Sequence, residues 1–367
     1  MTDWGMSGRR DYYSFHLVDP WSLEETGDTL DVEDGASSIT WGVDTDNLCS
    51  ATIVPIGSFI GNRSPGNRLI RVKHGIELPS GETYDEVLGT FFVNSSRATA
   101  LYGGVRRTSD CYSTLWRYTQ DVLATDVSRP KGYLVADEVR EIVEDDGGKL
   151  LVMPDADVNA AHTMDVWWQI GTNKADLLEN LANWTGHELG VNEYGYITWS
   201  RYVPPTSRPI SYTFEEGVNC VYTAGFQLDD NRRDAVNRVV AHFSQSSVDE
   251  GSPYPASDYY VADLPASHRF SYEQTGRRST YDLDVGQPCA HSDLVSQAER
   301  YLYTHCGAQE FVVIEHVGIP GLRVGQRVHY TNWGDNEIGL DNDMTVEQIS
   351  MALGPGAMCQ TKLSYEV

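Results

Sequence analysis

Short runs of alternating apolar and polar residues, each cut off by Gly, Pro, Asn or Asp, recur along the first hundred residues of the chain. This pattern constrains the fold more than any other feature, because a period of two suits half-buried strands. YYSFHLVD (residues 12–19) alternates, and SSITWGVDTD followed by CSATIVPI supplies two further runs. NRLIRVKHGIEL places Ile70 and Val72 on one face, with Arg71 and Lys73 on the other. PSGE then makes a turn, and VLGTFFVNSS and ATALYGGV follow. Regular short strands of this kind predict an antiparallel barrel or sandwich.

The period changes near Thr108. TSDCYSTLWRYTQDVLA offers Thr108 or Ser109 as an N-cap, with Leu115, Thr119 and Val122 at near-helical spacing. LVADEVREIVED predicts a second helix with Val135, Val139, Ile142 and Val143 as its buried stripe, ended by Gly147 and Gly148. TNKADLLENLANWTG predicts a third, capped by Thr172 or Asn173, with Asp176 in its first turn. Leu177, Leu178, Leu181 and Trp184 form its apolar side, and Gly186 stops it. HELGVNEYGYITWSRY then reads as two strands around an NEYG turn.

PPTSRP (residues 204–209) is a linker by composition. Beyond it ISYTF, NCVYT and NRVVAHFS return to strand pattern, while residues 245–287 are richer in Ser, Pro and charge and predict loops with a strand or two. SDLVSQAERYLYTHCG reads as a helix capped by Ser292, packing through Leu294, Ala298, Tyr301 and Leu302 and ended by Gly307. EFVVIEHV, IPGLRVGQRVHYT, TVEQISMAL and MCQTKLSYEV close the chain as strands, with GPGA (residues 354–357) as the last turn. In IPGLRVGQRVHYT a single central Gly325 and a β-branched, aromatic continuation fit a strand entry. A phosphate loop needs several glycines and a following helix.

Function classes narrow by what the residues lack. The start, MTDWGMSGRRDYY, has no apolar core of a secretory signal, and no stretch approaches the length of a spanning helix, so a soluble, intracellularly made chain is expected. Six scattered cysteines without a CxxC predict buried free thiols. The net charge of -26 argues against reading of a nucleic-acid sequence, because most of the surface would repel phosphates. DADVN (residues 155–159) starts like a calcium loop, but Ala160 replaces the needed Gly and Val166 the needed Glu. DNDMTVE (residues 341–347) is explained by an Asp/Asn turn before a strand. Acidic pairs such as Glu24–Glu25, Asp145–Asp146 and Glu215–Glu216 read as solvated surface. Of the Trp167–Trp168 pair, at most one can line any groove. No catalytic, cofactor-binding or metal-ligating residue is expected, and the chain is read as not an enzyme.

The order of elements carries more than any motif. GTFFVNSSRATALYGGVRRTSDCYSTL, LLENLANWTGHELGVNEYGYITWSRY, NRVVAHFS and AERYLYTHCG resemble, in sequence, the tail-hub (baseplate hub or tail-associated) proteins of tailed bacteriophages. IPGLRVGQRVHYTN and TVEQISMALGPGAMCQTKLSYEV complete that resemblance over nearly the whole chain. It implies a mainly β fold with α+β parts. Two small antiparallel β-barrels are expected, with an α+β unit between them and a subdomain inserted in the second. The boundaries read here are 9–113 for the first barrel, 114–204 for the α+β unit, 205–244 with 310–367 for the second barrel, and 245–309 for the insertion.

The same resemblance implies a structural virion protein at the distal end of the tail, assembled in the host cytoplasm and active at genome ejection. It would form a homotrimer that adapts a six-fold tail tube or distal tail ring to a three-fold tip. Expected partners are the distal tail ring protein, the tape-measure protein and the tip fibre or receptor-binding proteins, with DNA passing through without specific binding. The chain stops at Val367, just after the last strand, so a minimal hub is implied, with lytic and spike functions elsewhere. Two other readings remain open at this level: a distal tail ring protein, and a carbohydrate-binding or receptor-binding tail protein suggested by the Tyr and Trp content.

Overall fold

The strand runs at the two ends of the sequence do not stay apart. The computed structural model describes residues 4, 7–42, 48–56, 68–101, 104–215, 221–230, 236–244, 255–268, 270–286, 289–305, 310–332 and 340–365. The N-terminal strands are β1 (Arg10–Val18), β2 (Glu25–Thr29), β3 (Ser37–Gly42), β4 (Cys49–Ile53), β5 (Leu69–Glu77), β6 (Thr83–Leu101) and β7 (Gly104–Ser113). A middle segment follows with α1 (Trp116–Thr119), β8 (Val127–Arg129), α2 (Val135–Asp145), β9 (Leu150–Val152) and β10 (Val166–Trp168). It ends with α3 (Lys174–Trp184), β11 (His187–Val191) and β12 (Ile197–Arg201). Next come β13 (Ile210–Phe214), β14 (Tyr222–Asp230), β15 (Arg238–Ser244), β16 (Ser257–Asp263), α4 (Tyr272–Thr275), β17 (Thr280–Asp284) and α5 (His291–His305). The chain closes with β18 (Glu310–Val317), β19 (Arg327–Asn332), β20 (Leu340–Leu353) and β21 (Met358–Tyr365).

Thirteen of these strands make one sheet. Its main path runs β14-β18-β21-β20-β3-β4-β7-β6-β5-β1-β2, with β19 branching from β20 and β13 pairing β19. The join lies on β20. Its first half pairs β19, and its second half, from Gln348 to Leu353, pairs β3 on the same side. The partner changes at Glu347, where the register against β21 also slips, so an irregularity in one strand redirects the sheet. The expectation of a mainly β chain with α+β parts holds. Among the described residues the strands of both halves pair into one continuous sheet over two cores, and no closed barrel is found.

The first core gathers Phe15, Ile39, Ile53, Ile70, Val72, Phe91 and Cys111 with Met351 and Leu353 from β20. The second gathers Phe214, Tyr222, Val312, Ile314, Val328, Tyr330, Met344 and Leu363. Trp41 packs against both. The middle segment has its own core: α2 contributes Val135, Val139, Ile142 and Val143, and α3 contributes Leu177, Leu178 and Leu181. Both helices match their expected stripes. Asn173 caps α3, its side chain accepting from the Ala175 and Asp176 amides.

Three expectations change. The helix expected from Thr108 shrinks to the four residues of α1, because residues 108–113 complete β7 between β4 and β6 and bury Cys111 in the first core. Val122 is exposed and bridges Asn173 instead of packing along a helix. NRVVAHFS, expected in the second barrel, becomes β15, which pairs β16 and β17 in a separate three-stranded sheet under α5. That strand's alternation, with Val239, Ala241 and Phe243 buried, said that it packs but not on which sheet.

Smaller points differ too. Helix α5 starts at His291, so Ser292 lies inside its first turn, while Gly307 falls outside the described residues. Cys49, Cys111, Cys289 and Cys359 are buried free thiols; Cys220 and Cys306 fall outside the described residues. Among the described residues no helix is long and apolar enough to cross a membrane. Leu181 is 1% exposed within the helical core. Leu181→Ala should therefore lower unfolding free energy by about 2–5 kcal/mol, read from urea denaturation, and a loss under about 0.5 kcal/mol would contradict this packing.

Candidate functional site

Among the described residues a dense polar cluster lies where the N-terminal strands meet the β18–β19 connection. β1, β5 and β6 bring Asp11, His74 and Glu86 together on the side of the first core. His74 Nε2 lies 2.8 Å from Asp11 Oδ1, and its Nδ1 lies 3.3 Å from Glu86 Oε1. The ring is 1% exposed and stacks on Tyr13 at 4.8 Å. Two arginines enclose the set. Arg9 holds Asp11 at 2.5 Å and donates to the Gly318 carbonyl at 2.7 Å. Arg323 reaches Glu86 at 3.2 Å and Glu193 at 3.1 Å, while the Gly321 amide donates to Glu86 at 3.0 Å. Residues 318–326, which connect β18 to β19, are thereby clamped to the first half of the sheet.

That connection is the IPGLRVGQRV stretch. Gly325 adopts φ +79°, a conformation open to glycine at little cost. Its amide donates to the Val346 carbonyl at 2.8 Å, and its carbonyl accepts from Arg208 Nη1 at 2.6 Å. Arg208 also holds Glu188 of β11 at 3.2 Å and the Val203 carbonyl at 2.8 Å. The glycine marks a turn entering β19, as its sequence implied.

A second junction holds the NEYG turn. Arg71, expected only on the opposite face to Val72, is 4% exposed because the middle segment covers it. It donates to Thr90 Oγ1 at 3.0 Å and to the carbonyls of Leu23 and Tyr194 at 2.9 and 3.1 Å. Thr90 and Thr114 donate to the Glu193 and Gly195 carbonyls at 2.8 and 2.9 Å. The inserted unit joins through Arg300 of α5, which donates to the His187 carbonyl at 2.7 Å and lies over the Tyr202 ring at 4.1 Å.

Electrostatics follow from this enclosure. Burial alone disfavours a charged His74, but its bonds to Asp11 and Glu86 outweigh it and raise the pKa. For Asp11 burial is again the opposing cause, and bonds from His74 and Arg9 bring the pKa down. Glu86 is lowered in the same way, against burial, by His74, Arg323 and the Gly321 amide. His316, between β18 and β21, behaves oppositely: burial pushes it down to about 4, although the Val317 carbonyl acts to raise it. Its Nε2 faces Thr361 Oγ1 at 2.7 Å.

The residues weighed for chemistry lie apart from one another. DADVN sits in the loop after β9, where the Asp157 amide donates to His187 Nε2 at 2.9 Å. Within DNDMTVE, inside β20, Asp343 pairs Arg327 at 2.8 Å and His329 at 2.7 Å. Trp167 is 64% exposed, and Trp168 turns inward to donate to Glu138 at 2.9 Å. Glu138 also faces His162 at 2.5 Å, yet both side chains are sealed, so the pair is a structural bond within the middle segment. Glu24 is exposed, Glu25 pairs Lys73 at 2.8 Å, and Asp146 pairs Lys174 at 2.7 Å. Among the described residues no three His, Cys, Asp or Glu side chains form a metal-holding group.

Sequence reasoning missed Asp11, His74, Glu86, Arg71 and Arg323. One signal was available: His74 shares the parity of Ile70 and Val72, which put it on the core face.

This arrangement of a wrapped β sheet, an α+β unit and a small inserted sheet is the fold of bacteriophage tail-associated proteins. The chain is similar to the tail protein from Neisseria meningitidis MC58, with TM-score 0.67 and 13% identity over 97% of this chain and 96% of that one. It is similar to the 43 kDa tail protein of prophage MuSo2 from Shewanella oneidensis, with TM-score 0.62 and 12% identity over 96% and 98%. A type VI secretion system component of E. coli, described as similar in structure to the T4 bacteriophage tail proteins gp27 and gp5, follows at TM-score 0.51 and 9% identity, covering 96% and 77%. No family model and no curated protein matches the chain.

The His74 cluster sets a pH signature. A raised His74 pKa stabilises the fold fully below the unfolded value of about 6.5, and this contribution is lost as pH rises through the folded value. The lowered Asp11 and Glu86 stabilise above their unfolded values of about 4 and lose that effect as pH falls. The stability gap between the wild type and His74→Gln, read by urea unfolding, should therefore peak between about pH 4.5 and 6.5 and narrow above neutrality. A gap independent of pH would exclude a charged His74.

Proposed function

We propose that the chain is a structural hub at the distal end of a bacteriophage tail, three copies closing into a ring around the DNA exit channel. The observation that carries this reading is the end-to-end likeness to tail proteins, covering 97% of this chain and 96% of its Neisseria counterpart. On this reading the protein is not an enzyme and takes no cofactor.

The two β cores support the symmetry argument. Each half of the sheet is read as one small barrel. In the first half, hydrogen bonds from the Glu33 amide to the Val54 carbonyl (2.9 Å) and from the Ile56 amide to the Asp31 carbonyl (2.8 Å) join the segment after β2 to the end of β4. Val32 bridges Pro55 at the same place. Such contacts would draw the sheet round on itself. Two similar barrels per chain, in three copies, present six quasi-equivalent contacts toward a six-fold tube and three toward a three-fold tip. The partners on this reading are the distal tail ring protein, the tape-measure protein and the tip fibre or receptor-binding proteins.

The domain division proposed is 9–113 and 114–204 for the first barrel and α+β unit. The second barrel then takes 205–230 with 310–367, and the insertion runs from β15 to α5. The acidic balance of -26 would let DNA pass a channel wall without capture, because few cations are available to replace its counterions.

A reconstruction of the assembled tail should contain three copies per ring. Six identical copies, or a single off-axis copy at a fibre, would refute the adaptor reading. Purified protein should give no measurable duplex binding at about 0.15 M salt, where screening reaches roughly 8 Å; submicromolar binding in that buffer would contradict the passive channel.

A further inference from the structure

The β6–β7 hairpin runs past the rest of its sheet. The last β5–β6 pair is Leu69 with Phe92, and the last β4–β7 pair is Ile53 with Ser109. Beyond them, among the described residues, β6 and β7 pair only with each other, Arg97 with Thr108, Ala98 with Arg107, Thr99 with Arg106, Ala100 with Val105 and Leu101 with Gly104. Five pairs at about 3.4 Å per residue make an arm of roughly 17 Å. A two-stranded ribbon is marginal in water, so a further strand along its edge would stabilise it.

The arm's charge identifies what that is. Residues 94–108 contain Arg97, Arg106 and Arg107 and no Asp or Glu, in a chain of net charge -26. Arg106, midway along the arm opposite Thr99, meets Glu33 of its own chain at 3.0 Å, an intrachain instance of the same charge match. Among the described residues Arg97 and Arg107 have no ion-pair partner, and Arg107 Nε is shielded from solvent without a hydrogen bond. The complementary surface lies on the same molecule. Among the described residues strand β2 pairs β1 on one side only, all five of its residues are exposed, and residues 24–34 carry six carboxylates with no Lys or Arg. Glu24, Asp28, Asp31 and Asp34 are without ion pairs among the described residues. Strand edges of this kind accept an added strand, and charge complementarity fixes which one.

We propose that the arm of one copy docks along the acidic β2 edge of a second copy of this chain. Arm and edge are different patches, so the contact is heterologous and either closes into a ring or grows into a filament. A nucleic-acid phosphate is the poorer occupant, because it would have to approach a body of strongly negative charge. The number of copies rests on the ring reading above; the contact itself does not.

The test uses the full-length protein in sedimentation velocity over a range of concentrations at about 0.1 M salt, where screening acts over about 10 Å. Wild type should self-associate. Arg97→Glu with Arg107→Glu should weaken association at least about tenfold, as should Glu24→Arg with Asp28→Arg, and all four changes together should restore it. A photo-crosslinking residue at Thr99 should attach to residues 24–34 of another copy, which checks the contact without reversing any charge. A wild type that stays monomeric, association indifferent to arm reversal, or an arm that crosslinks to duplex DNA overturns the proposal. Arm-independent association would leave the three-copy ring standing on its own reconstruction test.

Discussion

A buried imidazole on β5 ties together segments from both ends of the sequence. His74 sits between Asp11 and Glu86, and the arginines that complete the cluster, Arg9 and Arg323, reach segments distant in sequence. Pairs of this kind add little net stability over apolar contacts of the same shape, since desolvating the charges offsets their attraction. Breaking one is different. Removing a partner leaves a charge uncompensated, typically at a cost of about 3–5 kcal/mol. The cluster thus ties the β18–β19 connection to the first half of the sheet.

Sheet continuity complements the cluster. β20 pairs β19 along its first half and β3 along its second, so one strand serves both cores. Apolar packing then follows the same logic, with Met351 and Leu353 of β20 placed in the N-terminal core and Met344 and Val346 in the C-terminal core. Hydrogen-bonded pairing across the join makes relative rotation of the two halves costly, because it would expose backbone groups that have no other partner.

The middle segment and the insertion are fastened differently. Backbone carbonyls of the NEYG turn accept from Arg71, Thr90 and Thr114, and a single arginine of α5 reaches the His187 carbonyl. These bonds read backbone shape more than side-chain identity. That fits structural neighbours at 9–13% identity retaining one architecture, since a turn can be gripped by its carbonyls whatever residues it carries.

The sequence alone determined the local elements wherever one period was unambiguous. The stripes of α2 and α3, a cap at Thr172 or Asn173, the hairpin around NEYG and the strand entry at Gly325 all rest on neighbours within a few residues, and such patterns are written in the chain. It also indicated that His74 shares a face with Val72. Tertiary structure decided the rest. TSDCYS could serve a helix or a strand by propensity, and β4 and β6 flanking it chose the strand. The alternation of β15 required a sheet but could not say which, and Arg71 looked solvated until the middle segment covered it. Pairing partners and burial depend on residues a hundred positions away, so no local pattern carries them; only the closed arrangement of all the elements does.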